Sequence, residues 1–454
     1  MSAASSTSLP WQGRTLHFVG VGGAGMSGYA RVACQLGARV SGSDRAPSPY
    51  LERLHHDGLL EAHIGHDAGN VPPGEVEVVY SSAVPADNPE RLEARRRGLP
   101  EHPRAALLAE LSALRRTVAV AGTHGKTTTS SMLVCALRGA GMEPGWLIGA
   151  DIGGGLPNAH WGGGDWLVIE ADESDRSMLD LHVEIAVLTN VELDHADAFG
   201  SLAELREAFR SFLAPAPQAV LWSRPELLSL RSGPYEAYDV PEPLLEAGGT
   251  RFPWRGREVR LAVPGAHNAL DAAAALEAAR LAGADEGRAA EALAAFRGAG
   301  RRFQLLGRSA AGARVYDDYA HHPTEVQATL AAARLEVSGR GRLLAVFQPH
   351  LYSRTRAFAP ELGRALAAAD LVVVLPIYEA RERAADHPGV SGVSVAAATA
   401  AAARGRPVYW MPGFDEAELV LGGLLNSEDV CVVMGAGNVD ELGRRLASSS
   451  GAAS

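Results

Sequence analysis

The run Thr117-Val-Ala-Val-Ala-Gly-Thr-His-Gly-Lys-Thr-Thr128 sets the class of this fold, because it passes from a strand pattern through a glycine turn into a helix. Thr117 to Ala121 have the length and composition of a buried strand, and a helical pattern runs from about Thr127 to Ala140. A glycine turn between strand and helix aims backbone N–H groups and the positive end of the helix dipole at one point, which is how a protein cradles phosphate. Lys126 stands where an ammonium neutralises β- and γ-phosphates, and Thr127 where a hydroxyl coordinates Mg²⁺. Position 120 is Val where the strict spacing has Gly, so this loop is shorter. A tight turn without a ligand is the plain alternative, but it leaves the coincidence of strand, loop, helix and lysine unexplained.

Lys126 is also the chain's only lysine: of 42 basic residues, the other 41 are arginines. Such a bias replaces lysine wherever either cation will do. A position that keeps lysine therefore needs a compact ammonium rather than a planar fork.

Working outward, short apolar runs alternate with helical patterns, which predicts an α/β protein with parallel sheets and crossover helices. At 454 residues the chain exceeds one core. The pattern divides it into a unit over 1–112, a central unit over 113–299 and a third over 300–454. Strands are expected at Thr15 to Val19, Ala38 to Ser41, Trp166 to Ile169, Ile185 to Thr189, Ala313 to Tyr316, Leu343 to Phe347, Leu371 to Leu375 and Val430 to Met434. The Ala-rich stretches His267 to Leu281 and Val395 to Arg404 read as helices, the second as a surface helix, and the tail from Ser448 as frayed.

A net charge of −11 repels a polyanion and excludes nucleic acid as a partner. Cys34, Cys135 and Cys431 match neither a disulfide framework nor a zinc site, which suits a reducing compartment. With no export pattern and no apolar run of roughly 20 residues, the expectation is a soluble, cytoplasmic protein without membrane insertion, a monomer or weak homodimer.

Other polar clusters lie where strands end, which is where ligands sit in open parallel sheets. Glu170-Ala-Asp-Glu-Ser-Asp175 supplies carboxylates for a hard cation, Glu173 foremost, although a solvated acidic turn looks the same. Asn190, Asp194 and His195 follow the next strand. Gly20-Val-Gly-Gly-Ala-Gly25 fits a dinucleotide fingerprint, with Asp44 placed for a ribose. That motif specifies only a pyrophosphate and a ribose, so NAD and a nucleoside-diphosphate sugar satisfy it equally. Asp317-Asp-Tyr-Ala-His-His-Pro-Thr-Glu325 and Gln348-Pro-His-Leu-Tyr-Ser-Arg354 concentrate Tyr, His and Arg, the groups an amino-acid pocket needs.

On these stretches, with His17-Phe-Val-Gly-Val-Gly-Gly-Ala-Gly-Met-Ser27, Arg301-Arg-Phe303 and Phe347, the chain resembles the Mur ligases over nearly its whole length. It is most similar to the branch that couples L-alanine to UDP-N-acetylmuramate. The resemblance implies an N-terminal Rossmann-like domain, a central P-loop ATPase domain with a mainly parallel sheet, and a C-terminal Rossmann-like domain. It implies that Gly22, Gly23, Met26, Ser27, Asp44 and Ser82 hold the UDP part. ATP falls to Gly122, Thr123, His124, Gly125, Lys126, Thr127 and Thr128, with His267 and Asn268 at adenine and Arg302 and Asp317 as further nucleotide contacts. Thr127, Glu173 and His195 match the family's magnesium ligands, and Tyr319, His321, His350 and Arg354 face the incoming amino acid. Asp271 stands where the family often has a second Asn. A carbamylated lysine, which some relatives use for a second magnesium, has no lysine left to form on.

The expected reaction is phosphorylation of the lactyl carboxylate by ATP, followed by attack of alanine on the acyl phosphate, with Lys126, Glu173, His195, His321, His350 and Arg354 as the catalytic set. A recycling ligase that adds a whole tripeptide is a close rival. An NAD-dependent oxidoreductase is a distant one that leaves Lys126 unexplained.

Overall fold

Strand β1 (Thr15–Val19) opens the structure, a computed structural model describing residues 9–194 and 198–448. Its Leu16, Phe18 and Val19 are fully buried, as a strand covered on both faces requires. After the glycine turn comes α1 (Ala24–Gln35), then β2 (Arg39–Asp44), β3 (His63–Ile64), β4 (Glu77–Tyr80) and β5 (Glu101–Pro103). They form one parallel sheet in the order β3-β2-β1-β4-β5.

The second sheet has seven strands: β6 (Arg116–Ala121), β7 (Gly145–Leu147), β8 (Ala159–His160), β9 (Trp166–Glu170), β10 (Ile185–Leu188), β11 (Gln218–Trp222) and β12 (Glu236–Tyr238). The order is β12-β11-β10-β6-β9-β7-β8, and only β7 and β8 pair antiparallel. Helix α2 (Lys126–Gly139) leaves the end of β6. Because β6 lies between β9 and β10, the loops after all three open at the same edge, which brings Glu173 and Asn190 to the phosphate loop. Both sheets belong to one compact unit made of residues 9–191, Leu205–Tyr238 and Ala274–Ala289.

A second unit comprises residues 192–194, 198–204, Asp239–Ala273 and 290–448. It holds an antiparallel sheet of β13 (Leu244–Glu246), β14 (Gly249–Trp254) and β15 (Arg257–Leu261). It also holds a six-stranded sheet of β16 (Gln304–Arg308), β17 (Arg314–Asp318), β18 (Leu343–Phe347), β19 (Leu371–Val374), β20 (Val408–Trp410) and β21 (Val430–Met434). The order is β16-β17-β21-β18-β19-β20, parallel except for the β16 edge. Leu343, Ala345 and Phe347 of β18 enter one core and Leu344 and Val346 the opposite one, so every residue of the strand is apolar.

Helices α4 (Pro323–Glu336) and α5 (Tyr352–Leu366) follow β17 and β18; after β15 the chain forms α3 (Ala266–Leu281), whose residues from Ala274 onward belong to the first unit. The α/β class and the expected strands are borne out. The Ala-rich surface helix forms as α6 (Gly392–Ala402), but it packs tightly: a Cβ at Gly363 of α5 would lie 2.6 Å from the Ala398 backbone. Small residues serve close helix approach there. The antiparallel strands β13 to β15 and the β16 edge were not anticipated.

Candidate active site

At the end of β6 the backbone needs glycine. Gly122 has φ +132°, and a Cβ there would lie 2.1 Å from Thr189 Oγ1 and 3.0 Å from the Asn190 nitrogen; Gly125, at the start of α2, has φ +81°. The turn is pinned to the end of β10. The N–H groups of Thr123 and His124 donate to Asn190 O (3.2 Å) and Oδ1 (2.9 Å), while Asn190 Nδ2 and Thr189 Oγ1 donate to His124 O at 2.9 and 2.5 Å. Gly122→Ala should therefore cost more than about 1 kcal/mol of stability and at least about 100-fold in ATP turnover. Thermal melting and phosphate release check it; wild-type values in both would contradict the close approach.

Lys126 Nζ donates to Gly122 O (2.6 Å), Thr123 O (3.2 Å) and both Glu173 oxygens (2.9 and 3.2 Å). Burial alone would lower its pKa, but Glu173, Asp172 and Glu170 together raise it to about 12. The cation is permanent at any physiological pH. Glu173 is 1 % exposed and lies against that ammonium. Thr127 Oγ1 donates to Glu170 Oε1 (3.0 Å), whose other oxygen accepts the Gly149 N–H (2.7 Å). The oxygens of Thr127, Glu170 and Glu173 form the hard donor set that a small divalent cation takes, so the residues present fit Mg²⁺. Thr128 is buried behind the loop. His195 lies outside the described residues.

At the N-terminal glycine turn, Asp44 Oδ2 accepts the Gly22 N–H at 2.7 Å, and a Cβ at Gly22 would meet the Asp44 carboxylate at 2.8 Å. The carboxylate expected at a ribose thus also shapes the loop. Gly23 precedes α1 with open space where a Cβ would be. Met26 and Ser27 are buried, and the Ser27 hydroxyl donates to Ala24 O (2.9 Å), which also accepts the Asn158 side-chain amide. Ser82 is exposed on the turn after β4.

The second unit gathers the other polar cluster. His321 Nδ1 lies 3.0 Å from Tyr319 O, and the His321 N–H donates to Glu325 Oε2 (3.0 Å). The His321 and His350 rings are 6.0 Å apart, and Tyr319 meets His321 edge-on at 5.5 Å. Arg354 Nε and Nη2 donate to Asp194 Oδ1 (3.0 and 2.7 Å), and its Nη1 lies 3.0 Å from His350 Nδ1. Desolvation, opposed by Glu325, pushes the His321 pKa down to about 4; desolvation together with the neighbouring His321 and Arg354 takes His350 to about 3. Both imidazoles are neutral at pH 7. In an NMR titration their ring signals should not move between pH 8 and about 5.5; a midpoint near the ordinary histidine value would contradict this packing.

Asp317 is 1 % exposed, and burial lifts its pKa to about 6. Its partner is Arg301 (Nε to Oδ2, 3.1 Å), which also donates to Gly435 O and Gly437 O, both at 2.8 Å. Arg302, an expected nucleotide contact, lies 5.0 Å from the Tyr319 ring centroid. His267 has its pKa lowered to about 4 by desolvation, and Asn268 Nδ2 donates to Pro264 O (2.6 Å).

Within the first unit, therefore, Gly122 to Thr127 and Glu173 come together; within the second, Tyr319, His321, His350 and Arg354 do so around Asp194. Sequence reasoning missed Glu170 as the Thr127 partner and Arg301 as the Asp317 partner. It also missed Arg104, which reaches Asp175 (2.6 Å) and Asp172 (3.4 Å) across the first unit. Arg104 lies 71 residues from Asp175 and carries no local motif.

Three family models match in succession: the Mur ligase family catalytic domain over residues 15–116, the Mur ligase middle domain over 120–230 and the Mur ligase glutamate ligase domain over 301–437. The chain is 45% identical over 472 residues to the UDP-N-acetylmuramate–L-alanine ligase of Mycolicibacterium vanbaalenii, covering 97% of each protein. It is 43% identical over 483 residues to that of Mycobacterium tuberculosis, covering 97% of this chain and 96% of the relative. Among solved structures it is similar to the UDP-N-acetylmuramate-alanine ligase of Thermotoga maritima, with TM-score 0.82, 27% identity, and coverage of 96% of this chain and 98% of the other. No helix among the described residues is long and apolar enough to cross a membrane. The expected resemblance is borne out, and with it the three-domain architecture: the chain belongs to the Mur ligase family.

Proposed function

We propose that the protein joins L-alanine to the lactyl carboxylate of UDP-N-acetylmuramate, driven by ATP, giving UDP-N-acetylmuramoyl-L-alanine, ADP and phosphate for peptidoglycan synthesis. The observation that carries this reading is Lys126, a permanent cation held in a glycine loop at the start of α2 and backed by a buried carboxylate.

Lys126 and the loop N–H groups stabilise negative charge that builds on the transferred phosphoryl group, so that the carboxylate leaves the step as an acyl phosphate. Thr127, Glu170 and Glu173 and, on the family pattern, His195 would hold Mg²⁺, which would supply neutralisation of the charge that develops in phosphoryl transfer. Arg354 binds the carboxylate of the incoming amino acid, and Tyr319 walls its side chain. His321 and His350 then differ in the nitrogen they offer. His321 directs Nδ1–H at a carbonyl and leaves Nε2 basic, whereas His350 accepts from Arg354 through Nδ1 and leaves Nε2 protonated. His321 Nε2 is the better acceptor for the proton that the amine loses.

In the same reading Gly22, Gly23, Met26, Ser27, Asp44 and Ser82 belong to the UDP site. Thr123, His124, Gly125, Thr128, His267, Asn268, Arg302 and Asp317 belong to ATP, with Arg301 paired to Asp317. The domains run over 1–112, 113–299 and 300–454. The chemistry of the two nucleotide substrates supports a cytoplasmic reaction.

The test is phosphate release by purified protein with ATP, Mg²⁺ and UDP-N-acetylmuramate, comparing free L-alanine with a tripeptide acceptor. Turnover with alanine is expected. Turnover with the tripeptide alone would move the protein to the recycling branch.

A further inference from the structure

Helix α5 carries Arg354 on its first turn, yet it starts without a cap of its own. The residue before it, Leu351, has φ +65°, and its apolar side chain accepts nothing from the first N–H groups. Those groups need acceptors, and a carboxylate at a helix start is favoured by the dipole. Both needs are met from elsewhere in the chain.

Glu382, on the segment after β19, accepts the Ser353 N–H at 2.9 Å and the Ser353 hydroxyl. Burial would raise its pKa, but these donors bring it below the ordinary value. The rest of the segment grips the same turn. Tyr352 Oη donates to Glu379 Oε1 (2.6 Å), the Tyr352 ring stacks on His387 at 5.6 Å, and His387 Nε2 is 3.7 Å from Glu382 Oε2. The Leu351 N–H donates to Tyr378 O (3.0 Å), and the Tyr378 ring stacks on His350 at 5.8 Å.

We infer that Glu382 is a positioning residue of the acceptor pocket: it caps α5 across the chain and so holds Arg354 where it receives the carboxylate of the amino acid. This rests on the reading of Arg354 given above. Arg354 is fixed at its guanidinium by Asp194 and His350 and at its backbone by the first turn of α5. Loosening the turn moves the base of the side chain and leaves the ATP and UDP-sugar residues untouched.

The test uses the full chain and steady-state kinetics with L-alanine, ATP and UDP-N-acetylmuramate. Glu382→Gln removes the negative charge from the start of α5 and leaves a single amide oxygen to accept, and should raise the alanine KM about ten-fold, with kcat within about threefold and the other two KM values unchanged. Glu382→Asp keeps the charge and should recover most of the loss. In an Arg354→Gln background Glu382→Gln should add less than about twofold, because a residue acting through Arg354 has nothing left to act on. Should Glu382→Gln not fold, Ser353→Ala carries the test, with about a threefold rise in alanine KM expected.

A lowered melting temperature with all KM values unchanged overturns the proposal, as does a full ten-fold addition in the double variant. If Arg354→Gln itself leaves the alanine KM unchanged, the acceptor reading fails and the inference with it. If Arg354→Gln raises it while Glu382→Gln does not, only the inference fails.

Discussion

Exchanging Lys126 for arginine should lower ATP-dependent phosphate release by at least about 100-fold, in a chain that uses arginine at every other basic position. The ammonium fits between two loop carbonyls and Glu173, with contacts of 2.6 to 3.2 Å. A guanidinium is wider and directs its donors in one plane, so it cannot meet two carbonyls, a carboxylate and a phosphate from that point. Lys126→Ala should be worse, at least about 1000-fold, with UDP-N-acetylmuramate binding retained. It should also lose about 3–5 kcal/mol of stability, because a carboxylate that is 1 % exposed loses the ammonium 2.9 Å from it. Adding Glu173→Gln to Lys126→Ala should restore part of that stability but none of the turnover. Calorimetry and phosphate release separate the two effects; near-normal turnover in Lys126→Arg would refute the role.

The second large effect is expected at the acceptor. Arg354→Gln should raise the KM for L-alanine about 100-fold, roughly 2.7 kcal/mol, the range of a charge-assisted pair removed from a desolvated site. Arg354 is 8 % exposed, so solvent cannot replace its charge. The buried Asp194 would lose the guanidinium 2.7 Å from it, so stability should fall as well. The ATP KM should stay within about twofold, since Arg354 is not read as a nucleotide contact. An unchanged alanine KM would remove Arg354 from the pocket.

What could be read from the sequence was local or lay at strand ends. The phosphate loop was legible because strand, glycines, lysine and helix are contiguous, and because Gly122 leaves no room for another residue. Glu173 was legible only as an acid after a strand; its pairing with Lys126 follows from β6 and β9 being neighbours. The β18 run was plain because both faces are buried. Long-range pairs were not legible: Arg354 and Asp194 are 160 residues apart. The Arg301–Asp317 pair was not legible either, since its 16-residue separation matches no local motif and Arg301 takes left-handed backbone (φ +57°). The turn between β14 and β15 did leave a signal. Arg255 and Gly256 form a two-residue connection with φ +45° and +76°, the conformation a tight hairpin requires.

The account stands on phosphoryl transfer to a carboxylate at the Lys126 loop, and an isotope measurement tests that most directly. With UDP-N-acetylmuramate labelled by ¹⁸O in the lactyl carboxylate, turnover with ATP and L-alanine should release ADP and phosphate carrying one ¹⁸O from the substrate. Unlabelled phosphate, or AMP and pyrophosphate in its place, would contradict it.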